Sequence, residues 1–319
     1  MSASEASKNH HWWPVGLQYY WTDNQGDVWW IEPDGKVHHK RSANRKVGYK
    51  IHGHTFLRDS PWKTNFEGEF DIDNEVPNLV KTLQSLKGMG TRPSDFAYLL
   101  KLLLKRDRKL SDLCRFYDLD ETVHRNLLLL IFSLLFRSPA SRSRYENYPA
   151  SLGLPPNEDV GKANMRQYYR MAKKLCQEGL ISNQYFVLIR SPFKKFICGD
   201  GYLDWLSGNV NLNRIDGRAL VPLTPHLCIF FCTPRIMRRS PNFAAFNAAP
   251  WMVDWINDLT QIYSKDKLFF HGPPPKLTEA FRQGKFFTLK KRSDALIEML
   301  DEIAGIKPTA NPIAFTAFS

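Results

Sequence analysis

The stretch ETVHRNLLLLIFSLLFR, residues 121–137, decides how this chain must fold. Its core, Leu127–Phe136, is an apolar run of ten residues, about half of the ~20 that a membrane-spanning helix needs. A helix apolar on nearly every side has to be enclosed by other elements. Residues 121–137 therefore predict the centre of a helical bundle.

Working upstream, Glu75–Leu86 reads as a helix ended by Gly88-Met89-Gly90, Ser94 can cap a helix running to about Lys105, and Leu110–Tyr117 reads as a short helix. The 110–130 stretch has a superficial helix-turn-helix rhythm. A recognition helix must show polar residues to a groove, however, and this one continues into the apolar run. Further upstream, residues 15–56 read as a β-meander. Leu17–Trp21, Val28–Ile31 and Lys36–Lys40 are its strands, parted by the turns Asp23–Gly26 and Pro33–Gly35.

Working downstream, the Pro/Ser-rich residues 138–158 read as a loop or linker and Asp159–Glu178 as a helix. Tyr185–Arg190 and Lys195–Cys198 read as a hairpin, and Leu227–Phe231 as a third strand after an irregular loop of 28 residues. Trp251–Tyr263 and Ser293–Ala304 read as closing helices. The expected fold is α+β: an N-terminal antiparallel β-meander on a central helical bundle, with a second small antiparallel sheet and C-terminal helices. Three parts (1–60, 61–145 and 146–319) are expected to form one compact unit.

The chain of 319 residues is 43% hydrophobic and carries a net charge of +12, with a pI near 9.4. Most of the surplus lies from residue 160 onward, where 22 Lys+Arg face 12 Asp+Glu. Such a balance favours polyanionic partners, nucleic acid first. The five cysteines are an odd number without metal-site spacing and read as reduced, mostly buried thiols. The opening residues MSASEASKNHHW hold no apolar signal core, so no membrane span and a cytoplasmic location are expected.

Six of the nine histidines and five of the nine tryptophans fall within the first 54 residues, just before an acidic run from Glu67 to Glu75. Imidazoles beside carboxylates suit a divalent ion or a general base. His38 and His39 would face opposite sides of a strand, whereas His52 and His54 could share a face. His11, flanked by Trp12, Trp13 and Pro14, is the leading single candidate. Glu67, Asp71 and Asp200 are the acids expected to join it around an ion such as Mg or Mn. Asp200 follows an apolar strand within Cys198-Gly199-Asp200-Gly201. Arg166, Arg170, Lys173 and Lys174 have helical spacing for following a phosphate backbone, and Arg235, Arg238 and Arg239 form a second basic group. For each of these features the bland alternative is a surface histidine, a turn aspartate or a solvated charged face.

Taken in order, these landmarks resemble a broad, mostly bacterial family known only as a domain of unknown function. The resemblance spans roughly residues 10–265. It rests on His11-Trp12-Trp13-Pro14 with the aromatic run to Trp21, Glu67 with Phe70 and Asp71, and Arg137-Ser138-Pro139-Ala140-Ser141-Arg142. It continues through Asp200-Gly201-Tyr202, where the family has Asp-x-Pro, then Pro222-Leu223-Thr224-Pro225, Asn247 and Gln261–Ser264. The resemblance implies which residues matter and brings no established activity.

Together these features lead to the expectation of a metal-assisted nuclease of toxin or defence type. His11, Glu67, Asp71 and Asp200 would hold the ion or activate water, and Arg137 and Arg142 would hold the scissile phosphate. The alternative is a non-catalytic module that binds nucleic acid or protein through Trp12, Trp13, Trp29 and Trp30.

Overall fold

The computed structural model describes residues 9–42, 47–56, 64–90, 93–105, 109–178, 184–205, 217–233, 240–286 and 294–305. The helix Glu121–Arg137 is capped by Asp120, whose carboxylate accepts the amides of Thr122 and Val123, satisfying donors that a helix start leaves open. Every residue from Leu127 to Arg137 is buried. The helix packs against Glu158–Gln177, and its Phe132 ring lies 6.4 Å from that of Phe231 in the main sheet. The expected central helix is therefore central, and the fold is α+β.

The main sheet has six strands in the order Leu203–Asp204, Arg218–Thr224, Leu227–Cys232, Tyr185–Arg190, Phe243–Asn247 and Arg115–Tyr117. All neighbours are antiparallel except Tyr185–Arg190 with Phe243–Asn247. Leu227–Cys232 is buried at every position, as an unbroken apolar run should be when a sheet is covered on both faces. A second, antiparallel sheet joins Val37–Arg41, Asp27–Ile31, Leu268–Phe270 and Cys198–Gly199. Two short pairs complete the strands, Asn9–His11 with Tyr49–Ile51 and Thr55–Phe56 with Thr64–Asn65.

Several local expectations are corrected. Leu17–Trp21 is not a strand: Val15–Gln18 is helical and Tyr19–Trp21 is a 3₁₀ turn. Pro14 starts this helix at φ −53°, and Trp21 is anchored in the core with its indole donating to the Leu223 carbonyl at 3.0 Å. Residues 138–158 are not a linker. Pro139–Glu146 is a helix capped by Ser138, and Tyr148–Leu152 is a 3₁₀ turn. Leu110–Tyr117 divides into a 3₁₀ turn, Leu110–Leu113, and the edge strand Arg115–Tyr117. Lys195–Cys198 makes no hairpin with Tyr185–Arg190, because Cys198–Gly199 pairs with Leu268–Phe270 in the other sheet. The stretch between Cys198 and Leu227 contains the strands Leu203–Asp204 and Arg218–Thr224, and its residues 206–216 lie outside those described.

All five cysteines are free and buried. No described helix is long and apolar enough to cross a membrane.

Candidate functional site

Three segments bring His10, His54 and Glu67 together. One donor atom of each lies within 4.8 Å of the other two. His10 comes from the strand Asn9–His11, which pairs with Tyr49–Ile51 in the register His10 to Lys50 and His11 to Tyr49. The chain then reverses through His52, which holds a left-handed backbone at φ 52°, and the Gly53 amide donates to the Lys50 carbonyl at 3.2 Å. This turn lays His54 against His10 with the rings stacked, 5.3 Å between centroids and 9° between planes. The His54 amide donates to His10 Nδ1 at 2.6 Å. Glu67 opens the 3₁₀ turn Glu67–Glu69. Its carboxylate meets His54 Nδ1 and accepts the His11 amide at 3.3 Å.

His10 and His54 are both buried, with Phe66 and Phe70 against the His54 ring. Burial, helped by the positive charges of Arg137 and Arg142, holds the His54 imidazole well below its usual range. Burial raises the Glu67 carboxyl, against the pull of Arg137 and His10. The first effect favours a neutral imidazole, the form that ligates metals, while the second opposes the ionised carboxylate that a ligand needs. His54 Nε2 is buried without a hydrogen-bond partner.

Of the residues expected at the site, Glu67 is in the cluster. His11 is not among its ligands, since neighbouring strand residues face opposite ways and His10 takes the inward position. His11 contributes main-chain groups instead, its amide to Glu67 and its carbonyl to Arg137 Nη1 at 3.1 Å. Asp71 is ion-paired with Lys173 at 2.6 Å, away from the cluster. Asp200 is buried at the start of a turn and accepts the amides of Lys265 and Asp266 at 2.7 and 2.9 Å. Burial pushes its carboxyl up to about 6 despite those amides.

The flanking glycines do not give Asp200 freedom. A Cβ on Gly201 would stand 2.0 Å from the Tyr263 carbonyl oxygen, and one on Gly199 would stand 1.8 Å from Ser264 Oγ. They are glycines because other chain approaches too closely for a side chain.

The arginines differ. Arg137 is fully buried and fully engaged, donating to both Asp73 oxygens, to His11 O and to Ser133 O, with its guanidinium 4.5 Å over the Phe70 ring. It is a structural anchor and has no donor directed at a phosphate. Arg142 is buried but has no carboxylate partner, and its Nη1 has no acceptor.

Arg137, Arg142 and Asp200 line one cavity of about 370 Å³. Residues 137–142 and 200, far apart in sequence, thus meet at one place.

The basic helix face is also corrected. Arg166 and Arg170 both bind the Glu69 carboxylate, with four contacts of 2.6 to 2.8 Å. Lys173 pairs with Asp71, and Lys174 pairs with Glu178 at 3.6 Å. Two carboxylates of the acidic run thus engage three cations of the basic helix, so much of this face's charge is spent within the protein. Arg235, Arg238 and Arg239 lie outside the described residues.

Trp12 and Trp13 are buried in the core. Trp29 and Trp30 stack on His39 and His38, at 4.4 and 5.4 Å between centroids. The aromatic stacking surface expected for a binding module is thus largely engaged within the protein.

A scan against protein-family models and searches of curated proteins and of solved structures return no match.

Proposed function

We propose that the protein is a metal-assisted phosphodiester hydrolase acting on nucleic acid, with its metal centre at His10, His54 and Glu67 rather than at His11, Asp71 and Asp200. The observation that carries this reading is the convergence of two buried imidazoles and one carboxylate, each from a different segment, within reach of the charges of Arg137 and Arg142. Two imidazoles and a carboxylate suit Zn better than Mn or Mg, which favour oxygen ligands. Three protein ligands also leave a position open, as catalytic sites do. The bound ion would supply a water acidic enough to attack phosphorus near neutral pH. In such a hydrolysis a P–O bond to water would form as the bond to the leaving alcohol breaks, a proton of the water passing to that alcohol. The protein's part is to keep His54 neutral by burial and to hold Glu67 with the His11 amide. A toxin or defence role fits such an activity and is part of the proposal.

The test is calorimetric titration of metal-free protein with Mn and Zn, alongside cleavage assays on single-stranded DNA and RNA. Binding is expected in the wild type and absent in His10→Ala and in Glu67→Gln, with cleavage lost in the same variants. A wild-type protein that binds neither ion would overturn the proposal, as would cleavage undiminished in Glu67→Gln.

A further inference from the structure

Arginines that approach the interior of this protein come with partners. Arg115 pairs with Asp95, Arg137 with Asp73, Arg144 with Asp204, Arg166 with Glu69 and Arg218 with Asp301. Arg190, the partly buried exception, gives its Nη1 to three carbonyls at the end of the helix Val76–Ser85. Arg142 has neither kind of partner. It is 5% exposed, its Nη1 meets no acceptor among the described residues, and its Nη2 donates only to the weak acceptor Met165 Sδ at 3.9 Å there. The nearby carboxylates Glu146 and Glu158 are held instead by Lys50, at 3.2 and 3.1 Å. A buried, unpaired guanidinium is costly to fold, and completion by a ligand is one reason for a protein to retain it.

Arg142 lines the 370 Å³ cavity together with Lys40, Lys50 and Lys267. Trp12, Trp30, Tyr49 and Phe269 also line it, as do Asp200 and Asp266. The volume falls within the range of small-molecule sites. Its lining combines aromatic side chains with more cationic than acidic groups. The guanidinium is fixed from behind, because Gly53 packs against it so closely that a Cβ there would stand 3.0 Å from Nη1.

We infer that this cavity binds the phosphate group of a nucleotide-sized ligand, with Arg142 as its principal donor, Lys267 as a flanking charge and the exposed parts of the aromatic lining beside the ring system. Arginine suits this task because its planar fork matches two phosphate oxygens at once. The inference deepens the hydrolase reading and rests on it for the choice of phosphate among oxyanions.

The experiment measures thermal unfolding of chelator-treated, metal-free protein titrated with inorganic phosphate, with a nucleoside monophosphate and with acetate. Saturable stabilisation by phosphate, and more strongly by the nucleotide, is the expected result. Arg142→Met should weaken phosphate binding by roughly tenfold or more, the loss expected for a charge-assisted hydrogen bond. Lys267→Gln, a milder change at the cavity wall, guards against misfolding of the first variant and should weaken binding by a smaller factor. Equal binding in the wild type and both variants would overturn the inference, as would no response to phosphate or a response to acetate as large. Ion binding without phosphate binding would sink this inference and leave the hydrolase reading standing. Phosphate binding without ion affinity would do the reverse.

Discussion

Arg137 and Asp73 form a two-point ion pair, Nη1 to Oδ2 at 2.9 Å and Nη2 to Oδ1 at 2.6 Å. The pair ties the last residue of the central helix to the acidic 3₁₀ turn Asp71–Glu75. Because Arg137 also holds the His11 carbonyl, one side chain connects the core helix, the acidic turn and the strand that carries His10.

Asp73→Asn leaves this buried guanidinium without its counter-charge. Removing one partner of a buried pair costs about 3–5 kcal/mol, and urea unfolding should show a loss near the lower end because Asp73 is itself partly exposed. Adding Arg137→Met to Asp73→Asn should recover part of that loss. Additive losses in the double variant would show that the two residues do not act as a pair.

Gly201 has no room for a side chain, since its Cβ would overlap a main-chain oxygen that cannot rotate away. Gly201→Ala should therefore destabilise the protein, the overlap outweighing the ~1 kcal/mol at most by which a less flexible unfolded chain would favour the variant. It should also disturb the amides that Asp200 accepts. Thermal unfolding would measure the first effect and amide hydrogen exchange at Lys265 and Asp266 the second. An unchanged melting temperature would contradict the geometry.

His124 gives a pH dependence that can be assigned. Burial holds its imidazole below the usual range, opposed by the hydrogen bond it donates to the Gln184 carbonyl at 3.1 Å. The unfolded chain takes up a proton near pH ~6.5 that the folded chain refuses. Stability from this group is thus complete above that pH and is lost as the pH falls toward the lower folded value. The slope can reach about 1.4 kcal/mol per pH unit. His124→Gln keeps a donor and removes the titration. The difference in unfolding free energy between wild type and variant should shrink from about pH 7 to pH 5, and a constant difference would exclude His124 as the source.

How far the sequence could be read depended on how local each signal was. The central helix was legible because its apolar run and length admit one solution. The helix Pro139–Glu146 was also written plainly, as a Ser-Pro pair of N-cap and first helical residue, yet the surrounding Pro and Ser residues resemble a linker. Tyr19–Trp21 has strand-like composition but follows a proline that starts a helix. The strand Phe243–Asn247 is short and holds two alanines, so only its place between two partners makes it a strand.

At the site, the relevant histidines and Glu67 stood out by clustering, and Arg142 was identified. The choice of His10 over His11 depends on strand pairing forty residues away, which no local pattern records. Likewise, the helix face of Arg166, Arg170 and Lys173 offers a charge pattern that is the same whether the charges face solvent or acids about a hundred residues earlier in the chain.

That last pairing has a consequence for how the protein responds to its surroundings. Glu69, gripped by Arg166 and Arg170, lies two residues from Glu67 on the same 3₁₀ turn. The grip is partly open to water, so added electrolyte weakens it in a way that fully enclosed pairs escape. The turn that presents the histidine cluster with its carboxylate is therefore fastened by a clasp that dissolved ions can slacken, which makes ionic strength an external handle on an otherwise enclosed centre.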